Sequence, residues 1–300
     1  MTASVETQEI VIITGASSGI GEATARELAR RGFHVLAGIR RDQDADAIRG
    51  LNIEPLILDI TNPDHIRALA DRVHGDPQGR AVRALMNNAG MGVNAPVEVF
   101  ALDQWRHLFE VNFFGHIAVT QTLLPALIRS KGRVINISSV GGKIAMATYG
   151  PYAGTKFALE AVSDSLRREI APLGVQVVVV EPAAVRTKIG DRAIARAQEV
   201  ASTMTPEQSE RYGRLVEAIT AQAASAMESG LSADAAAKVI AQAVTARKPR
   251  TRYTIGREAA LLSLLTTLPD RMLDRILAAA LRPHFPRRPI EHCDSATACR

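Results

Sequence analysis

The sequence predicts an α/β fold in which a doubly wound parallel sheet of about seven strands carries helices on both faces. Short runs of four to six residues, rich in Val and Ile, alternate along the chain with longer amphipathic stretches. Runs that are apolar on both faces are typical of parallel strands covered from both sides. With 300 residues, of which 47% are hydrophobic, the chain is long enough to bury such a core in one domain.

The predicted strands are bounded by Gly, Pro, Asn or Asp, which favour turns. They cover residues 10–13, 35–39, 55–58, 82–86, 134–137 and 175–180, with a last strand at 251–255. Helices are predicted at 22–31, 63–74, 103–130, 152–171, 216–227, 233–246, 258–268 and 270–281. Pro125 should kink the long third helix. We therefore expect one domain over residues 1–256, followed by a helical extension and basic tail over 257–300.

Cysteine content and charge narrow the classes of function. Cys293 and Cys299 lie near the C-terminus without metal-ligand spacing, so neither metal nor thiol chemistry is predicted. The N-terminus lacks the basic and apolar regions of a secretory signal, and a cytoplasmic location is the simplest expectation. The net charge is +5, and residues 247–300 alone carry +6. Since no recognition motif accompanies this basic tail, no nucleic-acid partner is predicted.

A glycine-rich loop follows the first predicted strand, where residues 14–21 read Thr-Gly-Ala-Ser-Ser-Gly-Ile-Gly. Glycines allow backbone N–H groups to approach an anion, and the N-terminus of the next helix favours negative charge. A plain turn is the alternative, but the strand–loop–helix context favours pyrophosphate binding. The second strand ends at Arg40 rather than at a carboxylate, and an arginine there suits a 2′-phosphate. The predicted cofactor is NADP(H), with NAD(H) as the alternative.

A candidate catalytic pair lies further along the chain. Tyr152 and Lys156 are four residues apart at the start of a predicted helix and therefore share a face. An ammonium group favours the phenolate, so Lys156 is expected to lower the pKa of Tyr152 and make it a general acid/base. Ser138 and Ser139 follow the strand 134–137, at the edge where open parallel sheets bind ligands, and a hydroxyl there can hydrogen-bond a substrate oxygen. A surface pair and a polar strand end are the alternatives.

Taken together, these segments resemble the short-chain dehydrogenase/reductase family over about residues 8–187. The segments that carry the resemblance are residues 14–21, Asp59-Ile60, Asn87-Asn88-Ala89-Gly90, Ser139 and Tyr152-Ala-Gly-Thr-Lys156. The family implies a Rossmann-type fold and hydride transfer between a nicotinamide and a carbonyl or secondary alcohol. It implies that Tyr152 is the acid/base and that Lys156 binds the nicotinamide ribose. It also implies that Ser139 orients the substrate and that Asn112 supports a water-linked proton relay.

The glycine loop, Arg40 and the resemblance together give a set of expected cofactor-binding residues. They are Gly15, Ser17, Ser18, Gly19, Ile20, Gly21, Arg40, Asp59, Ile60, Asn87, Ala89, Gly90, Tyr152, Lys156, Val185 and Thr187. The resemblance places Asp59 near the adenine amine and Thr187 near the nicotinamide carboxamide. Ala183 stands where the family usually has Gly, which leaves the backbone path there open.

The resemblance extends to substrate and assembly. Residues 139–142 and 157–160 look like the branch containing 17β-hydroxysteroid and retinol dehydrogenases, which implies an apolar steroid-, retinoid- or lipid-like substrate. A 3-oxoacyl carrier-protein reductase and a non-catalytic dinucleotide-binding scaffold are the alternatives. The family also implies a substrate lid over about residues 188–230 and a homo-oligomer, either dimer or tetramer. For the C-terminal helices, packing on the parent domain is expected, with weak peripheral membrane contact as an alternative.

Overall fold

The structure, a computed structural model, describes residues 8–256, 262 and 265–285. Seven strands form its central sheet, and every neighbouring pair is parallel, in the order β3-β2-β1-β4-β5-β6-β9. They are β1 (Ile10–Ile13), β2 (His34–Ile39), β3 (Ile53–Ile57), β4 (Val82–Asn87), β5 (Arg133–Ile137), β6 (Gln176–Pro182) and β9 (Arg252–Ile255). The predicted doubly wound α/β fold is confirmed.

Helices cover both faces of this sheet. They are α1 (Gly19–Arg30), α2 (Ala45–Ile48), α3 (Pro63–His74), α4 (Leu102–Phe109), α5 (Gly115–Ser130), α6 (Gly150–Ile170), α7 (Lys188–Ser202), α8 (Pro206–Ser229), α9 (Ala233–Thr245) and α10 (Asp270–Leu281). Alternate side chains of β1 enter two separate cores. Val11 packs with α1 and α9, while Ile12 packs with α3 and α5. This alternation explains why each strand is apolar on both faces.

The long helix predicted at 103–130 is interrupted, but not at Pro125. A single π-helical turn, Glu110–Phe114, joins α4 to α5 and contains the buried Asn112. Such turns insert one residue into a helix and are frequent at functional sites. By length and composition alone, Leu102–Ser130 could cross a membrane, and 39% of its most apolar window is buried inside the protein. The core helix of a globular domain meets the same criterion.

The chain segments just before α7 and just after α8 lie next to each other. The short strands β7 (Val185–Arg186) and β8 (Leu231–Ser232) pair in parallel, with Val185 opposite Leu231. The backbone N–H of Leu231 also donates to the carbonyl of Ala184 at 3.1 Å. We call residues 188–230, which lie between these strands, the lid segment.

The C-terminal predictions are only partly covered by the described residues. Helix α10 has the bounds expected for the last helix, 270–281. Most of the predicted helix 258–268 and the basic end of the tail lie outside the described residues. The helix predicted at 216–227 is the second half of a longer α8, which begins at Pro206 with a capping box between Thr205 and Gln208.

Candidate active site

A deep cleft of about 950 Å³ opens at the carboxyl ends of the central strands. Open α/β sheets bind their ligands at this edge. The cleft brings together most of the residues predicted from the sequence. They are Gly15, Ser17, Ser18, Gly19, Ile20, Arg40, Asp59, Ile60, Ala89, Gly90, Ser139, Tyr152, Lys156, Val185 and Thr187.

Glycine conformation shapes the loop at the floor of the cleft. Gly15 and Gly19 have φ angles of 66° and 61°, in the left-handed region that favours glycine. A Cβ atom on Gly15 would lie 2.7 Å from the Cα of Ala89, too close for any side chain. The loop therefore passes directly against the β4 loop, with its backbone facing the cleft at the N-terminus of α1. This arrangement fits a pyrophosphate group.

Two polar side chains brace the same loop. The Thr14 hydroxyl accepts hydrogen bonds from the backbone N–H groups of Asn88 and Ala89, both at 2.9 Å. The Asn88 amide donates to the carbonyls of Thr14 and Gly15 at 2.9 and 3.0 Å. These bonds fix the glycine loop to the end of β4 before any ligand is present.

Ser139, Tyr152 and Lys156 meet in the middle of the cleft. Ser139 lies directly beyond β5, and its hydroxyl accepts from the backbone N–H of Gly141 at 3.0 Å. Tyr152 and Lys156 lie one turn apart on α6, with the Lys156 ammonium 5.8 Å from the centre of the Tyr152 ring. The same ammonium donates to the carbonyl of Ile137 at 2.8 Å, which holds it against the end of β5.

The protonation of this group differs from the sequence-based expectation. Burial raises the pKa of Tyr152 to about 12, and the hydrogen bond with Ser139 opposes this only in part. Burial lowers the pKa of Lys156 to about 8, opposed by the charge of Glu160. The expected lowering of the Tyr152 pKa by Lys156 does not appear, because desolvation is the largest cause of the shift and the charge of Lys156 is not among its causes. At neutral pH Tyr152 is therefore a proton donor and Lys156 is mostly charged.

Three of the predicted residues lie behind the cleft rather than on its surface. Asn87 is buried and donates to Thr120 and Asn136 at 2.9 and 2.8 Å, which joins the sheet to α5. Gly21 lies beneath the glycine loop, where any Cβ would meet the carbonyl oxygen of Gly15. Asn112 accepts from the backbone N–H of Met91 and donates to its carbonyl, both at 2.8 Å. The structure thus gives all three a supporting position.

Three further residues in the cleft or behind its wall were not predicted from the sequence. His116 is fully buried beside the β4 loop, within 2.6 Å of the Ala89 carbonyl, and burial lowers its pKa to about 3. Arg192 and Arg196 of α7 line the cleft close to Arg40. Their i,i+4 spacing was a visible signal, but nothing in the sequence fixes where a lid helix lies relative to the sheet.

The far wall of the cleft is apolar and comes from the lid segment and the C-terminal helices. Helix α8 contributes one face, and α10 with the residues after it contributes the other. The apolar lining residues are Leu215, Ile219, Ala223, Ala226, Met227, Leu277, Ala278, Leu281 and Phe285. Leu281 is buried against Ala218 and Ile219 of α8, so this part of the C-terminal extension packs on the parent domain and closes the cleft.

The fold and the cleft together define an oxidoreductase of Rossmann type. The family described as short chain dehydrogenase matches residues 9–198. The chain therefore belongs to the short-chain dehydrogenase/reductase family.

Relatives of known name agree with this assignment. The chain is similar to retinol dehydrogenase 16 of Homo sapiens, with 35% identity over 89% of this chain and 87% of the relative. It is 30% identical to the NADPH-dependent 3-dehydrocapnine reductase of Ornithobacterium rhinotracheale, over 90% of this chain and 96% of that one. A short-chain dehydrogenase from Streptomyces avermitilis superimposes with a TM-score of 0.72 at 28% identity, covering 93% and 96% of the two chains. Solved members of the fold hold NADP in some cases and NAD in others.

Proposed function

We propose that the protein is an NADP(H)-dependent oxidoreductase that interconverts a carbonyl and a secondary alcohol on an apolar substrate. The observation that carries this proposal is the meeting of Ser139, Tyr152 and Lys156 between the glycine loop and the apolar wall. One side of the catalytic group thus suits a dinucleotide, and the other suits a lipid-like molecule.

The proposed chemistry follows from protonation. A bound nicotinamide supplies or accepts the hydride. In reduction, Tyr152 transfers its phenolic proton to the substrate oxygen, and in oxidation it takes the proton back. Ser139 donates a hydrogen bond to the same oxygen and stabilises the negative charge that develops on it. The Lys156 ammonium, held by the Ile137 carbonyl, stabilises the phenolate that Tyr152 leaves behind.

The residues around the adenosine end support NADP(H). Arg40 is exposed at the end of β2 and lines the cleft, where a carboxylate would be needed to select NAD(H). Ser17 and Ser18 lie within the glycine loop and Thr187 lies beside it, where they would hold the pyrophosphate and nicotinamide halves of the cofactor. A relative whose name specifies NADPH supports the same choice.

The substrate class is supported by the apolar wall. Side chains of α8 and α10 offer aliphatic contacts over most of the cleft beyond Tyr152. A steroid, retinoid or other lipid-like ketone or alcohol gains affinity by burying its surface there. A relative named for retinol is consistent with this class.

The proposal is tested with Tyr152→Phe in an NADPH-coupled screen of ketones and aldehydes. The variant keeps the ring and loses the proton donor, so we expect kcat to fall at least about 100-fold, within the range that general acid catalysis contributes. Binding of NADPH, followed by calorimetry, should change less than about threefold. Tyr212→Phe is the matched control, since Tyr212 bonds Glu98 outside the cleft.

Two results would contradict the proposal. Near-normal turnover in Tyr152→Phe would contradict the role of Tyr152 as the general acid/base. Dinucleotide binding by the wild-type protein without turnover of any ketone, aldehyde or thioester would favour the non-catalytic dinucleotide-binding scaffold. Acyl thioesters belong in the same screen, since preference for them over steroids and retinoids would favour 3-oxoacyl carrier-protein reduction.

A further inference from the structure

We propose that Arg192 and Arg196 of α7, in the lid segment, bind the 2′-phosphate of NADP(H) together with Arg40. This rests on the NADP(H) preference proposed above and adds two residues from a different part of the chain. It gives α7 a role in cofactor recognition beyond covering a substrate.

The path of α7 places its first turns over the cofactor half of the cleft. Thr187, directly before the helix, lies against Gly19 of the glycine loop, where an added Cβ would come within 3.0 Å of the threonine methyl. Ala193 lies against Gly92 in the same way. The Arg196 guanidinium donates to the Gly92 carbonyl at 3.2 Å. The helix therefore spans from the glycine loop to the loop after β4.

Arg40, Arg192 and Arg196 form a cluster of like charge. All three line the cleft, and none has an ion pair among the described residues. They are close enough to repel one another, since burial and then the charges of Arg192 and Arg40 lower the pKa of Arg196. Holding three guanidinium groups together costs free energy unless an anion lies among them.

The nearby carboxylates do not neutralise the cluster. Asp44 is bound by Arg41 through two hydrogen bonds of 3.0 and 2.9 Å. Asp59 accepts the backbone N–H and the hydroxyl of Thr61 at 2.9 and 2.7 Å, and its charge also acts on Arg40, so it offsets only part of the charge of the cluster. Glu199, which is exposed, also acts on Arg196, but more weakly than Arg192 and Arg40 do. The cluster therefore keeps a net positive charge facing the cleft.

The position of the cluster favours the 2′-phosphate over the pyrophosphate. The pyrophosphate site is the N-terminus of α1, at Gly19. Arg40 lies instead at the end of β2, where the adenosine ribose is recognised in this fold. Arg192 acts electrostatically on Asp44, in the turn just after Arg40, which places it at the same end. A dianionic phosphate accepts paired hydrogen bonds from planar guanidinium groups and would satisfy all three.

The inference is tested by calorimetric binding of four probes: NADPH, NADH, 2′,5′-ADP and 5′-AMP. The variants are Arg192→Gln, Arg196→Gln and the double variant, in which glutamine keeps a donor for the Gly92 carbonyl. Lys188→Gln is the matched control, because Lys188 is an exposed cation on α7 outside the cleft lining. We expect the double variant to bind NADPH and 2′,5′-ADP at least tenfold more weakly than the wild type does. Its affinity for NADH and 5′-AMP should fall by less than threefold. Lys188→Gln should leave the affinity for all four probes unchanged.

Other outcomes separate this inference from the proposed function. Equal losses for NADPH and NADH would place the two arginines on the pyrophosphate or in a structural role, and would overturn the inference while leaving the NADP(H) preference intact. Unchanged NADPH affinity in the double variant would overturn it as well. A wild-type protein that binds NADPH no better than NADH would contradict both the proposed NADP(H) preference and the proposed role of Arg192 and Arg196. Melting temperatures of the free variants within about 2 °C of wild type would exclude misfolding as the cause of a loss.

Discussion

Arg40 illustrates how one exposed side chain at a strand end sets cofactor choice. Replacing it with aspartate removes a cation and adds a charge that repels a phosphate but accepts hydrogen bonds from a ribose. We expect Arg40→Asp to weaken NADPH binding by at least tenfold while leaving NADH binding unchanged or stronger. Fluorescence quenching of Trp105 or calorimetry with both dinucleotides measures this.

The neighbouring Arg41 provides the control for that prediction. Arg41 is exposed, pairs with Asp44 and lies outside the cleft lining. Arg41→Asp changes the net charge by the same amount at nearly the same place. If both variants lose NADPH affinity equally, Arg40 acts only through the general field and does not contact the phosphate.

For single residues, the sequence predicted which side chains face the cleft better than it predicted their protonation. Tyr152 and Lys156 follow from their spacing, Ser139 follows from strand order together with the family resemblance, and the structure brings the three together. The pKa of Tyr152 could not be predicted, since it depends on how deeply the ring is buried. Arg192 and Arg196 were missed for a related reason, because helix placement over the cleft is a tertiary property.

Helix α5 carries His116, a titratable side chain that is buried from solvent. His116 has an ordinary pKa near 6.5, and burial lowers it to about 3 in the folded protein. Between these values the unfolded chain binds a proton that the folded protein does not, so stability rises with pH from about 3 to about 6.5. At pH 5 this residue alone should cost about 2 kcal/mol relative to neutral pH.

We predict that His116→Gln flattens the acid side of the stability profile. Glutamine can still donate to the Ala89 carbonyl but takes up no proton. The measurement is the free energy of unfolding in urea at pH 5 and pH 7.5. The wild type should lose about 2 kcal/mol more than the variant between these values. His74→Gln, on the exposed end of α3, should behave as wild type, and an unchanged slope in His116→Gln would show that His116 titrates normally.

Elements with a regular pattern were predicted well, and those set by tertiary contacts were not. The central strands and α1, α3, α6 and α9 follow from apolar periodicity and turn residues. The π-helical turn at Glu110–Phe114 has no local signature, since Asn112 holds the backbone of a distant loop at Met91. The two-residue strands β7 and β8 are too short for any pattern to indicate.

At the scale of the whole molecule, aromatic side chains are exposed on α6 and on the π-helical turn that joins α4 to α5. Phe114 at the end of the π-helical turn is 50% exposed, and Phe157 on α6 is 44% exposed. A groove lined by Leu102, Trp105, Phe109 and Phe114 adjoins α6, since a Cβ on Gly154 would lie 3.7 Å from the Phe109 ring and 3.9 Å from the Trp105 ring. Exposed aromatic side chains of this kind are typical of protein–protein interfaces.

We therefore expect a dimer or tetramer in solution, measured by light scattering coupled to size exclusion. Phe114→Glu places a charge in the proposed contact and should shift the mass toward the 32.2 kDa monomer. Leu51→Glu is the control, since Leu51 is 89% exposed elsewhere on the surface. A monomeric wild-type protein at tens of micromolar would contradict the expectation, as would an unchanged assembly in Phe114→Glu.

The pairing of β7 with β8 brings the two ends of the lid segment together, so that the segment can be replaced as one unit. Both of its ends are held by the same small ladder, so the chain between them can change length or sequence without moving the central sheet. Grafting the equivalent segment of a relative between Val185 and Leu231 should therefore exchange substrate preference while the acid/base chemistry stays in place. Since that same segment carries Arg192 and Arg196, the proposed role of these arginines predicts that such a graft also changes the preference between NADPH and NADH.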